Sequence, residues 1–186
     1  MPETSAARPA EPADEPIVLD EAMERFVETW GAMGASWGIP RTMAQVHALL
    51  FAVGRPVTAD EVVEALGISR GNASMTLRRL EEWHLVARRH RRGDRRDFFE
   101  AEQDPWKVLR IVVEERRKRE VDPLIAALEE CRRDGDDDDG GFNDRVGRMI
   151  ELVTFIQRLG RHVSRPDSGP LLELVAAFLE QEDPRP

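Results

Sequence analysis

GISRGNASMTLRRLEEWHLVARRHRRGDRRDFFEA, residues 67 to 101, reads as a helix followed by a basic hairpin. Ser69 has the chemistry of a helix N-cap, and Ala73, Leu77, Leu80 and His84 follow at helical spacing as an inner stripe. The period then changes. Leu85 to Arg89 and Asp97 to Ala101 alternate as short strands, and the arginine-rich segment between them has Gly93-Asp94, a turn dipeptide, at its centre. Upstream, Gly67-Ile68 is a tight turn after a helix of about 58 to 66, which begins at Thr58 and Glu61 with capping-box spacing and carries Val62, Val63 and Leu66. Before that, Met43, Val46, Leu49, Leu50 and Val53 mark a helix from about Arg41 to Val53, stopped by Gly54 and Pro56. Three short helices followed by a basic hairpin is the element order of a winged helix-turn-helix, with 69 to 84 as the recognition helix.

The charge of the same stretch points to its use. Residues 69 to 96 hold nine arginines against three acids, a balance of +6 in a chain of net charge −9, so the remainder sums to −15. A cationic island on an acidic protein fits a surface for an anionic partner. With Ala73, Leu77 and Leu80 inward, Arg70, Asn72, Ser74, Met75, Arg78 and Arg79 fall on outer or flanking faces, beside the capping Ser69. Arginine pairs with guanine and asparagine with adenine through two hydrogen bonds each, so these side chains suit base reading as well as phosphate binding. Arg91, Arg92, Arg95 and Arg96 form a wing able to reach phosphates or the minor groove. Asp94 either orients Arg95 or Arg96 by a charge-assisted hydrogen bond or simply forms the turn.

The rest of the chain is mainly helical, and helical dimerisation elements are expected at both ends. Residues 1 to 16, rich in proline, read as a disordered tail. The N-terminal helix and winged helix occupy 17 to 103, and a helical dimerisation region occupies 104 to 186. Leu19, Ala22, Phe26, Trp30, Met33 and Trp37 line one face of the first helix. Asp104 and Pro105 start another, with Trp106, Val108, Leu109, Val112 and Val113 on its packed side. Pro123 kinks or restarts it, and Leu124, Leu128 and Cys131 resume the stripe. An acidic linker spans 134 to 141. Phe142, Val146, Met149, Val153 and Ile156 then form one heptad-like seam, and Leu171, Leu174, Val175 and Phe178 a last short helix.

GISRGNASMTLRRLEEWHLV, RRGDRRDFFEAEQDPW from Arg91 to Trp106 and WGIPRTMAQVHALLF from Trp37 to Phe51 together resemble the GbsR-like branch of the MarR transcriptional regulators. The resemblance covers roughly residues 20 to 130. It implies a homodimeric winged helix repressor of double-stranded DNA, its N- and C-terminal helices forming the dimer, with release by a small-molecule effector such as choline in some members. DNA contact carries over to Arg70, Asn72, Ser74 and Arg78, and to Arg92 and Arg95.

Other chemistry is poorly represented. The single cysteine excludes an internal disulfide and the zinc patterns built on paired cysteines. Cys131 reads as a small buried hydrophobe rather than a redox switch. His47, His84, His90 and His162 are scattered, and the acidic run departs from a calcium loop at Asp139 and Arg145, so no metal or cofactor is expected. No nucleophile elbow, phosphate loop or zinc protease helix is present, which argues against an enzyme. No apolar run approaches a membrane span and no signal peptide is recognisable, so a cytoplasmic protein with no membrane partner is expected. Trp30, Trp37 and Trp106 are the candidates for an aromatic effector box, although rings at helical spacing belong more often to a core. The competing functions are a winged helix that binds protein and an architectural protein that binds DNA without sequence preference.

Overall fold

The computed structural model describes residues 16–134 and 141–165, with the side chains of 133 and 134 outside the description. Residues 1 to 15 of the expected tail over 1 to 16, the interior of the acidic linker and the helix after Pro170 lie outside the described residues. The described residues fall into two compact units, those within 1–80 and 86–101 and those within 81–85 and 102–186.

In the first unit, α1 (Glu21–Ser36) and α2 (Arg41–Val53) precede a two-residue strand β1 (Val57–Thr58), α3 (Ala59–Leu66), α4 (Arg70–Glu82) and the hairpin β2 (Val86–His90) and β3 (Asp97–Ala101). The sheet is antiparallel in the order β1-β3-β2, with Val57 opposite Phe99 and Val86 opposite Ala101. Strand β1 escapes the sequence reading because two residues are too few for any alternation. Its Thr58 is also the N-cap of α3: the hydroxyl accepts from the Glu61 N–H at 3.3 Å while the Glu61 carboxylate accepts from the Thr58 N–H at 2.6 Å. Arg55 also donates to that carboxylate at 2.9 Å.

The core draws on every element of the unit except β2 and α1 at its tightest points. Val46, Leu49, Leu50, Val57, Val62, Ala73, Leu77, Leu80 and Phe98 are each at most 1% exposed. Between α3 and α4, Gly67 adopts φ 62°, a left-handed turn that glycine enters without steric cost. Ser69 Oγ then accepts the Asn72 N–H at 3.2 Å, which caps α4. That helix stops at Glu82, earlier than the inner stripe suggested. His84 leaves the stripe, turns to solvent at φ 59°, and hands the buried position to Leu85.

Helix α1 faces α2 through the expected stripe only in part: Phe26, Trp30 and Met33 are half-buried, with the Phe26 ring 6.3 Å from that of Phe51. Val27, Gly31 and Gly34 are buried, whereas Ala22 is exposed and Trp37 is the 57% exposed C-cap. Two glycines allow the close approach: a Cβ on Gly34 would lie 2.5 Å from the Ala44 Cβ, and one on Gly31 the same distance from the Gln45 Cγ.

The second unit contains α5 (Pro105–Arg116), a π-helical turn (Arg117–Val121), α6 (Asp122–Asp134) and α7 (Phe142–Val163). Asp104 caps α5 by accepting the Trp106 N–H at 2.9 Å. The restart expected at Pro123 takes the form of the π turn, whose last bond runs from the Asp122 N–H to the Arg117 carbonyl. Several expected core positions face solvent instead: Trp106, Leu109, Leu124 and Cys131 are exposed. The single α7 seam also divides. Val153 is buried and Val146 half-buried, while Phe142, Met149 and Ile156 are exposed. Residues four and seven apart on one helix diverge once a neighbouring helix claims only part of the stripe.

Two consequences are measurable. Gly34→Ala forces α1 off α2 at a cost of about 1–3 kcal/mol, more than the ~1 kcal/mol gained in helix propensity, whereas Gly31→Ala meets the long side chains of Gln45 and Arg41, which have more freedom to give way than the Ala44 methyl. Urea midpoints should therefore fall further for Gly34→Ala, and equal midpoints contradict the close approach. Burial also holds His47 neutral, pushing its imidazole down to about 4, and its Nε2 has no partner among the described residues. Above pH 6.5 neither folded nor unfolded chain is charged there and stability is complete. As pH falls towards 4, the unfolded chain takes up a proton that the folded chain resists. About 2 kcal/mol should be lost by pH 5, and His47→Leu should remove that component of the pH dependence while leaving the rest.

Candidate nucleic-acid interface

The stripe Ala73, Thr76, Leu77 and Leu80 is buried, which turns the opposite side of α4 outward. Arg70, Ser74, Met75, Arg78 and Arg79 are exposed there, Met75 at 64%. Ser69 is exposed and occupied as the helix cap. Asn72 is half-buried on the flank, and its side-chain oxygen accepts from the Thr76 hydroxyl at 3.3 Å, so its amide is held in one orientation. Arg70 reaches Asp60 at 3.4 Å, but both side chains are largely exposed, and such a pair exchanges readily for another anion. Arg78 and Arg79 form no ion pair among the described residues.

The hairpin sorts its arginines. Arg88 pairs with Asp97 at 3.1 Å and Arg89 with Glu100 at 2.9 Å, across the β2–β3 ladder, and His90 Nδ1 lies 3.3 Å from Asp97. These acids lie just beyond the window in which the arginines were counted, so the +6 overstates the charge that the folded hairpin offers. Arg91, half-buried, lies 4.1 Å above the Phe98 ring and Arg96 5.4 Å from it, a cation–π arrangement that seats the base of the turn on the sheet.

Asp94 selects Arg96. Its carboxylate accepts from Arg96 Nη2 at 2.8 Å and Nε at 3.1 Å, and from the Arg96 backbone N–H at 2.9 Å. The Arg96 side chain, and then its backbone N–H, hold the Asp94 carboxyl down to about 2, so it stays ionised. Gly93 makes the turn at φ 89°. Arg92 and Arg95 remain as the exposed wing cations that form no ion pair among the described residues.

Trp30 and Trp37 lie in the first unit and Trp106 in the second. Trp30 packs 5.7 Å from Phe26, which neighbours Phe51 at 6.3 Å, and His47 lies on the other side of Phe51 at 6.3 Å. Trp37 is exposed at the end of α1, and Trp106 is exposed in the second unit. The ring that sequence reasoning passed over is Trp83, which follows α4 directly and lies under Arg119 at 5.3 Å. Its position one residue past the charged end of a helix was the available signal. Among the described residues no group of His, Cys, Asp and Glu could hold a metal ion, and no helix is long and apolar enough to cross a membrane.

Three helices, the tight turn at Gly67, an outward-facing α4 and a basic hairpin closed by β1 define a winged helix-turn-helix. Residues 37–97 match the model of the MarR family. The chain is 26% identical over 92 residues to the putative HTH-type transcriptional regulator YvaV of Bacillus subtilis (strain 168), covering 50% of this chain and 52% of that protein. It is 25% identical over 92 residues to the HTH-type transcriptional repressor OpcR of the same organism, covering 50% of each. With the HTH-type transcriptional repressor GbsR, also of Bacillus subtilis, identity is 24% over 116 residues, covering 62% of this chain and 64% of that protein. The match therefore spans about half the length of the first two relatives. A crystal structure of a transcriptional regulator shares the fold with a TM-score of 0.59 at 20% identity, covering 75% of this chain and 93% of that one.

Proposed function

We propose that the chain is a sequence-specific, double-stranded DNA-binding transcriptional regulator, a homodimeric repressor of the MarR and GbsR type acting in the cytoplasm. The observation that carries this reading is the outer face of α4: Ser74, Met75, Arg78 and Arg79 project from a capped helix whose opposite side is buried. In a major groove the arginines meet phosphates or guanine, Met75 meets thymine methyl groups, and Asn72, held by Thr76, offers its amide to adenine. Arg92 and Arg95 reach the flanking backbone. The relatives' names, which describe a regulator and two repressors, support the same reading.

The homodimer is supported by α7. Met149, Leu152, Ile156 and Leu159 recur at three and four on its outer side, each between 49% and 55% exposed, and Phe142 begins the same line one heptad earlier. An apolar stripe of this period matches a second copy of itself. Two recognition helices related by a two-fold axis then read half-sites about 34 Å apart.

Fluorescence anisotropy with the DNA upstream of the chain's own gene and with a scrambled duplex, at two salt concentrations, tests the first part. The native duplex should bind about 10³-fold tighter. Arg95→Ala should weaken both duplexes and reduce the salt slope by about 1, whereas Asn72→Ala should relax the preference. Arg88→Ala should change the slope less than Arg95→Ala, since Asp97 already offsets that charge. Salt-dependent binding without preference would favour an architectural protein, and failure to bind DNA a protein-binding module. For the second part, Leu152→Asp with Ile156→Asp should sediment as a monomer with its helical content retained. A persistent dimer would place the interface elsewhere.

A further inference from the structure

The buried stripe of α4 contains a polar side chain. Ala73, Leu77 and Leu80 are apolar, whereas Thr76, 6% exposed, carries a hydroxyl. A buried hydroxyl needs a partner, and a valine of the same shape would fill the position without that liability. Thr76 finds its partner on the flank of the helix, where its Oγ1 donates to Asn72 Oδ1 at 3.3 Å, one turn earlier in α4. Asn72 is also held through its backbone, since its N–H donates to Ser69 Oγ at 3.2 Å. Its Nδ2 forms no hydrogen bond among the described residues. Ser69, Asn72 and Thr76 all belong to the first unit.

We propose that Thr76 is a positioning residue for base choice: by holding the Asn72 oxygen it fixes the amide so that this position accepts adenine and rejects guanine. The proposal rests on the DNA-binding reading above. An asparagine amide carries an oxygen with two lone pairs and an amino group with two donors. Thr76 occupies one lone pair, which leaves the other, together with Nδ2, for a base. In the major groove adenine presents the N7 acceptor beside the N6 donor, while guanine presents two acceptors, N7 and O6. An amide pinned by its oxygen meets adenine with one donor and one acceptor. Against guanine the same amide brings oxygen onto oxygen. Released from Thr76, it can rotate about its last side-chain bond, a broad torsion, and turn its donors toward guanine. Thr76 thus acts from the buried side of the helix on a contact that it does not itself make.

The test uses the full-length chain and the sites selected from a random duplex pool by the parent, by Asn72→Ala and by Thr76→Val. The position whose preference Asn72→Ala flattens is the one that Asn72 reads, and the parent should favour adenine over guanine there. Thr76→Val should narrow that preference by about two- to tenfold, the worth of one neutral hydrogen bond, with the other positions and the salt slope unchanged. Thr76→Ser, which keeps the hydroxyl, should retain the parent's preference. If Thr76→Val fails to fold, Thr76→Ala set against Thr76→Ser makes the same comparison. An adenine preference unchanged by loss of the hydroxyl overturns the proposal, as does a uniform weakening at every site, which would make the hydroxyl merely structural. A parent that favours guanine at this position, or an Asn72→Ala that flattens none, overturns it too. A parent that selects no duplex defeats the DNA-binding reading itself, before any variant is compared.

Discussion

Burial of Ala73, Leu77 and Leu80 sets the rotation of α4 about its own axis, and the character of the surface follows from that rotation. Each fully buried leucine stabilises the arrangement by about 2 kcal/mol. Turning the helix so that Arg78 or Arg79 faced the core would also strand a charge away from water, at several kcal/mol. The two costs add, so the outward face is fixed without any ligand being present. Ser69 at one end and the left-handed His84 beyond the other limit where the helix begins and stops.

The arginines divide into two populations with different physical roles. On the hairpin, Arg88, Arg89, Arg91 and Arg96 are engaged by carboxylates or aromatic rings, which gives a short two-stranded wing a defined shape. Exposed ion pairs of this kind contribute at most about 1 kcal/mol each, so their main effect is orientation. Arg92 and Arg95 are thereby carried at a fixed turn rather than on a mobile loop. Arg78 and Arg79 sit on a rigid helix. The field offered to a polyanion is smaller than a count of arginines implies and better directed.

The second unit relies less on apolar burial. Val108 and Val153 are its buried aliphatic side chains among the described residues outside Leu85, while Glu115 is buried with two cationic partners. Removing one partner from such a cluster is costly because the remaining charge stays desolvated. These pairs lie at the α5 to α6 junction, where the π turn precedes Pro123. The exposed apolar line on α7 lies on the same unit as Trp83 and Arg119.

The three helices, the hairpin, the Thr58–Glu61 capping box and the turn at Gly93 were legible because each is encoded by neighbours within a few residues: a cap, a period, a turn dipeptide. The same local signals placed Ala73, Leu77 and Leu80 inward and thus most of the outward face. They could not assign Trp37, Trp106, Leu124 or Cys131, since an amphipathic stripe says which residues share a face but not whether another element covers it. Nor could they find β1, whose two residues become a strand only by pairing with Phe98 and Phe99. Element order, the winged helix and the concentration of positive charge all follow from neighbours in the chain. Which arginines face outward without an ion pair, which side of α7 is exposed among the described residues, and that Trp83 lies under Arg119 depend instead on partners distant in the chain, and a local period carries no information about distance.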